Sequence, residues 1–187
     1  CPLQRAGFIT EYTDDGINVT IAFKDLQIKR CLTTAGLALE LKTLLIARNA
    51  TDENGNRVFE HSMNGVLIDW DGEFHNERKE GIYDTENEID VFLMNDITPI
   101  FISCKNGVVY PEELYKLNTV ANRFGGRFAK KVLIATALKE KGKDASSEYF
   151  RQRAKDMGII LIEKVQSMTN KKFTELLVSV LNSDEVQ

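Results

Sequence analysis

The chain has 187 residues, 43% of them hydrophobic and 28% charged, with only 3 Pro and 12 Gly. That balance excludes disordered, collagen-like and low-complexity classes, and the length suits one core-bearing domain or a domain with an appendage. The net charge of −4 hides a polarity, because it divides into −9 over residues 1–122, +8 over 123–172 and −3 over 173–187.

The longest apolar stretches, such as Val132 to Leu138 and Gly158 to Ile162, fall far below the ~20 residues that a membrane-spanning helix requires. No membrane association is expected. Cys1, Cys31 and Cys104 are odd in number and lack CxxC spacing, which argues against a disulfide framework or zinc ribbon and points to the reducing cytoplasm. The first residue is Cys1, and no signal-peptide pattern follows it. The chain therefore reads as a piece excised from a longer protein, not as a secreted one.

In chain order, Ile17 to Phe23 alternates after the Asp14-Asp15-Gly16 turn signal, so residues 8–23 are expected to form a hairpin. Thr33 or Thr34 can cap a helix whose apolar positions Leu37, Leu41, Leu44, Leu45 and Ala47 recur at helical spacing and end near Asn49. Asn54-Gly55 marks a turn, and Val66 to Trp70 reads as a strand between Gly65 and Gly72. Residues 71–86 are densely charged and read as a loop that could gate a cleft. Glu88 to Met94 and Ile100 to Lys105 form an expected antiparallel hairpin through a short connection. Pro111 opens a helix that Gly125-Gly126 stops near Phe124. Lys131 to Ala135 is a buried strand, Ser146 or Ser147 caps a basic helix to Met157, Ile159 to Ile162 is a second buried strand, and Thr169 to Leu181 is a last amphipathic helix. The order implies an α/β fold, a mixed sheet flanked by helices with an N-terminal hairpin.

Strand alternation places Glu88 and Asp90 on one face and Ile89, Val91 and Leu93 on the other. In the partner strand Phe101, Ser103 and Lys105 share a face opposite Ile100, Ile102 and Cys104. A register that matches the apolar faces brings Asp90 beside Ser103 or Lys105. Carboxylates and a lysine at strand ends suit phosphodiester hydrolysis, in which oxygen ligands hold Mg²⁺ or Mn²⁺ and an ammonium stabilises developing charge. An ordinary cross-strand Asp–Lys pair, at roughly 0.2–1 kcal/mol, accounts for the same residues. Glu40 borders the buried stripe of its helix, where a carboxylate is costly unless paired, bound to metal or turned out to solvent.

Glu40, Asp90 and the Ser103-Cys104-Lys105 triplet resemble the PD-(D/E)xK nuclease core of the restriction-endonuclease-like fold. More narrowly, Asn87-Glu88-Ile89-Asp90-Val91, Ile102-Ser103-Cys104-Lys105 and the helix from Leu114 ending in Gly125-Gly126 resemble the CRISPR ancillary nucleases, over about residues 33–165. The resemblance implies a domain over 33–187 preceded by a hairpin or linker, 1–32, from an upstream domain that senses cyclic oligoadenylate. It also implies a homodimer in antiviral defence that cleaves DNA, RNA or both. It makes Asp90 the central metal ligand, Glu40 a second acid, Cys104 a donor through its carbonyl, and Lys105 the lysine of the motif. Ser103 stands where most of the superfamily has an acid, which leaves Glu88 as the nearest substitute. Lys116 either faces the cleft or is a solvated helix lysine.

The basic block that includes Arg123, Arg127 and Lys130 reads either as a phosphate-binding surface or as a solvated helix face. His61 and His75 lack zinc-site spacing. Gly125-Gly126 is a phosphate cradle or, more simply, a helix stop, and Trp70 stacks on a base or packs at a strand end. Two functions follow: a metal-dependent endonuclease, and a non-catalytic nucleic-acid-binding or dimerisation module of the same fold.

Overall fold

The structure is a computed structural model that describes residues 1–34, 36–70, 86–138 and 146–183. The chain divides into two compact units, Cys1–Ala38 and Leu39–Gln187.

The first unit holds a short helix α1 (Pro2–Arg5), an antiparallel hairpin of β1 (Ile9–Asp14) and β2 (Val19–Phe23), and helix α2 (Leu26–Thr33). The hairpin turn works as its aspartates predict. Asp14 accepts from the Gly16 amide at 3.0 Å, and Asp15 accepts from the Ile17 and Asn18 amides at 2.8 and 2.6 Å. Helix α2 departs from the sequence reading, which assigned Thr33 or Thr34 to the start of the next helix. Asp25 caps α2 instead, accepting from the Ile28 amide at 2.8 Å, while Thr33 bonds back to the Lys29 carbonyl and Thr34 closes the helix.

In the second unit helix α3 (Leu37–Arg48), which begins two residues before the division, precedes strand β3 (His61–Asp69), longer than the expected Val66 to Trp70. A turn at Asn54-Gly55 lies between them, closed by a bridge from Thr51 to Arg57. Strands β4 (Glu86–Asn95) and β5 (Thr98–Lys105) form the expected hairpin. Helix α4 (Pro111–Gly125), strand β6 (Lys130–Ala135), helix α5 (Ser146–Asp156), strand β7 (Ile159–Glu163) and helix α6 (Asn170–Ser179) complete the order. The sheet runs β3-β4-β5-β6-β7, with antiparallel pairs up to β5 and parallel pairs beyond it.

Two cores sandwich this sheet. Val91, Leu93, Ile100, Ile102, Cys104, Val132 and Ile134 pack on α3 and α6 through Leu39, Ala47, Phe173 and Leu177. Phe101, Leu133 and Ile159 pack on α4 and α5 through Leu114, Leu117, Ala121, Phe150 and Ala154. Residues of β5 and β6 alternate between the two, as period-2 side-chain geometry requires of central strands.

Two face assignments change. The buried residues of α3 are Leu39, Thr43, Leu44, Ile46 and Ala47, whereas Leu45 is 57% exposed. Eight of the twelve positions of this helix are apolar and they are spread around it, so spacing alone selects no face. Ile89, expected with Val91 and Leu93, packs instead in the α4–α5 core. The alternation of β4 breaks at Asp90, opposite the point where β3 carries Gly65 at a φ of 61°, a left-handed conformation that suits a residue without Cβ.

Residues 71–85 lie outside the described residues, as do Lys139, Lys141 and Lys143. Among the described residues, no helix is long and apolar enough to cross a membrane.

Candidate active site

The candidate site forms where β4 and β5 part. Their ladder runs from Asn95↔Thr98 to Val91↔Ile102 and goes no further. Past that point β5 needs a new acceptor on its β4 side, and Asp90 supplies it. Its Oδ2 accepts from the Cys104 amide at 2.6 Å and from the Ser103 hydroxyl at 3.2 Å. Oδ1 makes no hydrogen bond among the described residues. A carboxylate held by a backbone N–H is a strong, charge-assisted contact, so Asp90 is fixed to the strand that carries Ser103 and Lys105.

Helix α3 is keyed to the same strand. Thr43, fully buried, donates to the Leu39 carbonyl at 2.9 Å and lies 3.7 Å from the Cys104 sulfur. Glu40 stands one turn before Thr43 and Leu44 and two before Ala47 and is half-buried, beside the buried residues of the helix and not one of them. Burial pushes the Glu40 carboxyl above the usual carboxylate range, and the negative charges of Asp90 and Glu88 push it further, against the pull of Lys105. Glu40 therefore feels the charges of all three groups. Cys104 is 4% exposed, and burial raises its thiol so far that it stays protonated. It is a neutral core residue, which leaves its carbonyl as its one feature of use to a cation.

Lys105 is half-buried. Burial acts to lower its ammonium, but the hydrogen bond it donates to Glu113, together with the charges of Asp90 and Glu113, outweighs that effect and holds it above the usual lysine value. Its Nζ lies 2.9 Å from Glu113 Oε2. Glu113 was not singled out in the sequence. The available signal was its place in the first turn of α4, three residues after Tyr110 and within reach of the end of β5 across a short loop.

Glu88, Asp90, Ser103, Lys105, Glu113 and Lys116 line a narrow cavity of about 30 Å³ between the sheet and α4, room for about one water-sized species. Lys116 thus faces the cleft while remaining exposed. Ser103 spends its hydroxyl on Asp90 and so orients the acid. Among the described residues, no group of three or more His, Cys, Asp and Glu side chains has a metal-holding arrangement. The donors available to a cation are two carboxylates, Asp90 and Glu40, with Glu88 beside them and the Cys104 carbonyl. Carboxylate and carbonyl oxygens are the donor type that a hard divalent cation takes.

Arg123, Arg127 and Lys130 are placed elsewhere. Helix α4 starts beside Lys105 and ends near the opening of β6, where Lys130 pairs with Ile100, five positions before Lys105 along β5. That is roughly 16 Å at about 3.3 Å per residue. Lys130 donates to the Ser183 carbonyl, and the Arg127 guanidinium sits 4.7 Å from the Phe128 ring. Arg151 is committed to both oxygens of Glu163, at 2.9 and 3.0 Å. A larger open groove of about 530 Å³ on the β7 side, lined by Lys130, Arg151 and Lys155, contains none of the clustered acids. The other candidates resolve to packing. Trp70 meets Phe124 edge-on at 5.4 Å, and a Cβ on Gly125 would lie 2.5 Å from Phe101.

No family model matches the sequence, and no curated protein matches it. Solved structures share its fold. Protein VC1899 from Vibrio cholerae superposes with a TM-score of 0.70 at 19% identity, over 96% of this chain and 41% of that one. Can2 from Sulfobacillus thermosulfidooxidans, solved in complex with cyclic tetra-adenylate (cA4), does so with a TM-score of 0.65 at 16% identity, over 97% and 44%. The chain spans less than half the length of either structure.

Proposed function

We propose that the chain is a metal-dependent nuclease domain that hydrolyses phosphodiester bonds in DNA, RNA or both. The observation that carries this reading is the Asp90 carboxylate, bound by the Cys104 amide and the Ser103 hydroxyl and lining one narrow cavity with Lys105. Asp90, Glu40 and the Cys104 carbonyl would hold Mg²⁺ or Mn²⁺, with Glu88 in reserve because Ser103 brings no charge. Such an ion, when bound, supplies a water of lowered pKa and neutralises phosphate charge.

The remaining work falls to the chain. Lys105 brings a fixed positive charge to the cavity, suited to the charge that develops on the phosphate oxygens. Lys116 adds a second cation on the open side, where it can meet the scissile phosphate or its neighbour. The buried apolar row of Ile100, Ile102 and Cys104 limits water behind the site. Arg123, Arg127 and Lys130, at the far end of α4, would engage the backbone only some nucleotides away. The likeness to Can2 supports a further step: an upstream region of a longer, homodimeric protein senses a cyclic oligoadenylate and controls this domain in CRISPR defence.

A second reading, a non-catalytic module of the same fold that binds nucleic acid or dimerises, is favoured by Ser103 and by the prior engagement of Lys105 with Glu113. Incubation with Mn²⁺ and a labelled single strand separates the two. Cleavage by wild type that falls roughly 10²- to 10³-fold in Lys105→Ala, and at least as far in Asp90→Ala, is the expected result. Equal cleavage by all three proteins, or binding without cleavage by wild type, overturns the enzyme.

A further inference from the structure

Lys105 shares its cavity with three carboxylates, Glu88, Asp90 and Glu113. Asp90 lies across the strand pair, yet among the described residues the ion pair of Lys105 is with Glu113, at 2.9 Å. Glu113 is well held. Pro111 opens α4, and Leu114 and Leu117, the residues that follow Glu113 on the inner face, are 0% and 7% exposed in the α4–α5 core. The pair is partly sheltered, with side-chain exposures of 27% and 30%. A lysine stem is flexible, and its ammonium is a compact point charge. Without Glu113 the carboxylates left in the cavity are Glu88, which is exposed, and Asp90, which is fixed to β5 through its Oδ2.

Resting on the metal-dependent reading above, we propose that Glu113 is a positioning residue of this site. It draws the Lys105 ammonium to the α4 wall of the cavity and thereby keeps Asp90 open to the cation. In this role Glu113 does not touch the cation. It acts through Lys105, and Glu113→Gln releases the ammonium onto Asp90, where it competes with the metal.

Calorimetry with Mn²⁺ alone, on wild type, Glu113→Gln, Lys105→Met and the double variant, tests this as a double-mutant cycle. Glu113→Gln is expected to weaken Mn²⁺ binding about tenfold, the scale of a lost supporting contact around a metal. In the Lys105→Met background the same change is expected to do nothing, because no ammonium remains to be restrained. Glu113→Asp, which keeps the charge, is expected to recover part of the affinity, and thermal melts confirm that each variant folds. Unchanged Mn²⁺ affinity in Glu113→Gln overturns the role. So does an equal loss with and without Lys105, which would make Glu113 a direct ligand. Absence of Mn²⁺ binding to wild type overturns the metal reading itself and this role with it, so the two failures are told apart.

Discussion

The two halves of β5 obey different rules. From Ile100 to Ile102 the strand is laddered on both sides, and its side chains, 0%, 2% and 0% exposed, alternate strictly between the two cores. From Ser103 to Lys105 it keeps its parallel partner β6 but loses β4, and an aspartate side chain takes the place of a backbone acceptor. Every charged group of the candidate site gathers in the second half. Where the ladder ends, the Cys104 amide needs an acceptor, and the Asp90 carboxylate meets that need. The first half is closed by backbone pairing and apolar packing, and the second is held in part by side chains.

The contrast predicts that substitutions around the two halves differ in sign as well as in size. Ile102→Ala removes a fully buried side chain wedged between α3 and the sheet and is expected to cost about 2–5 kcal/mol in urea unfolding. A loss under about 1 kcal/mol would mean that the core relaxes around the cavity and that the tight half is not tight. Gly125→Ala probes the same half from α4. The added Cβ would lie 2.5 Å from a Phe101 ring carbon and 2.6 Å from the Ala129 Cβ, both residues being 2% exposed. Overpacking on this scale costs about 1–3 kcal/mol. A melting temperature equal to wild type would show that α4 slides freely along the sheet.

The tight half was also the legible half. Alternation in Ile100 to Cys104 and in Lys131 to Ala135, the Gly125-Gly126 stop and the Asp14-Asp15-Gly16 turn are local signals, and local physics sets them. Legibility failed where the outcome depends on partners distant in sequence. Helix α3 has apolar residues on most sides, so packing of Leu39, Thr43, Ile46 and Ala47 against the sheet, not spacing, chooses its buried face. Ile89 breaks ranks with Val91 because β4 leaves β5 at Asp90, which alternation cannot foresee. Helix α2 hides in a short stretch whose start is marked by the cap residue Asp25. The site residues Asp90, Ser103 and Lys105 were readable as a convergence across a hairpin. Glu113 was not, because a helix-start acid looks the same whether it meets water or a lysine.

Glu40→Gln is the smallest of these effects in stability and the sharpest test of the contrast, because its sign is opposite. The folded-state carboxyl of Glu40 is raised above its ordinary value of 4.5 by burial and by the charges of Asp90 and Glu88. A raised acid binds its proton more tightly in the native state than in the unfolded chain, so stability falls as pH climbs from 4.5 through the folded value, and the penalty is complete above it. Glutamine carries no such penalty. Without divalent cations, Glu40→Gln is therefore expected to melt higher than wild type at neutral pH, with the gap closing as pH drops below the ordinary carboxylate range. Adding Mn²⁺ is expected to reverse the order, since the cation compensates the crowded acids of wild type and finds one fewer in the variant. A variant less stable than wild type at neutral pH without cation would mean that Glu40 is held by favourable contacts, and the second half of β5 would then owe its charges to folding, not to function.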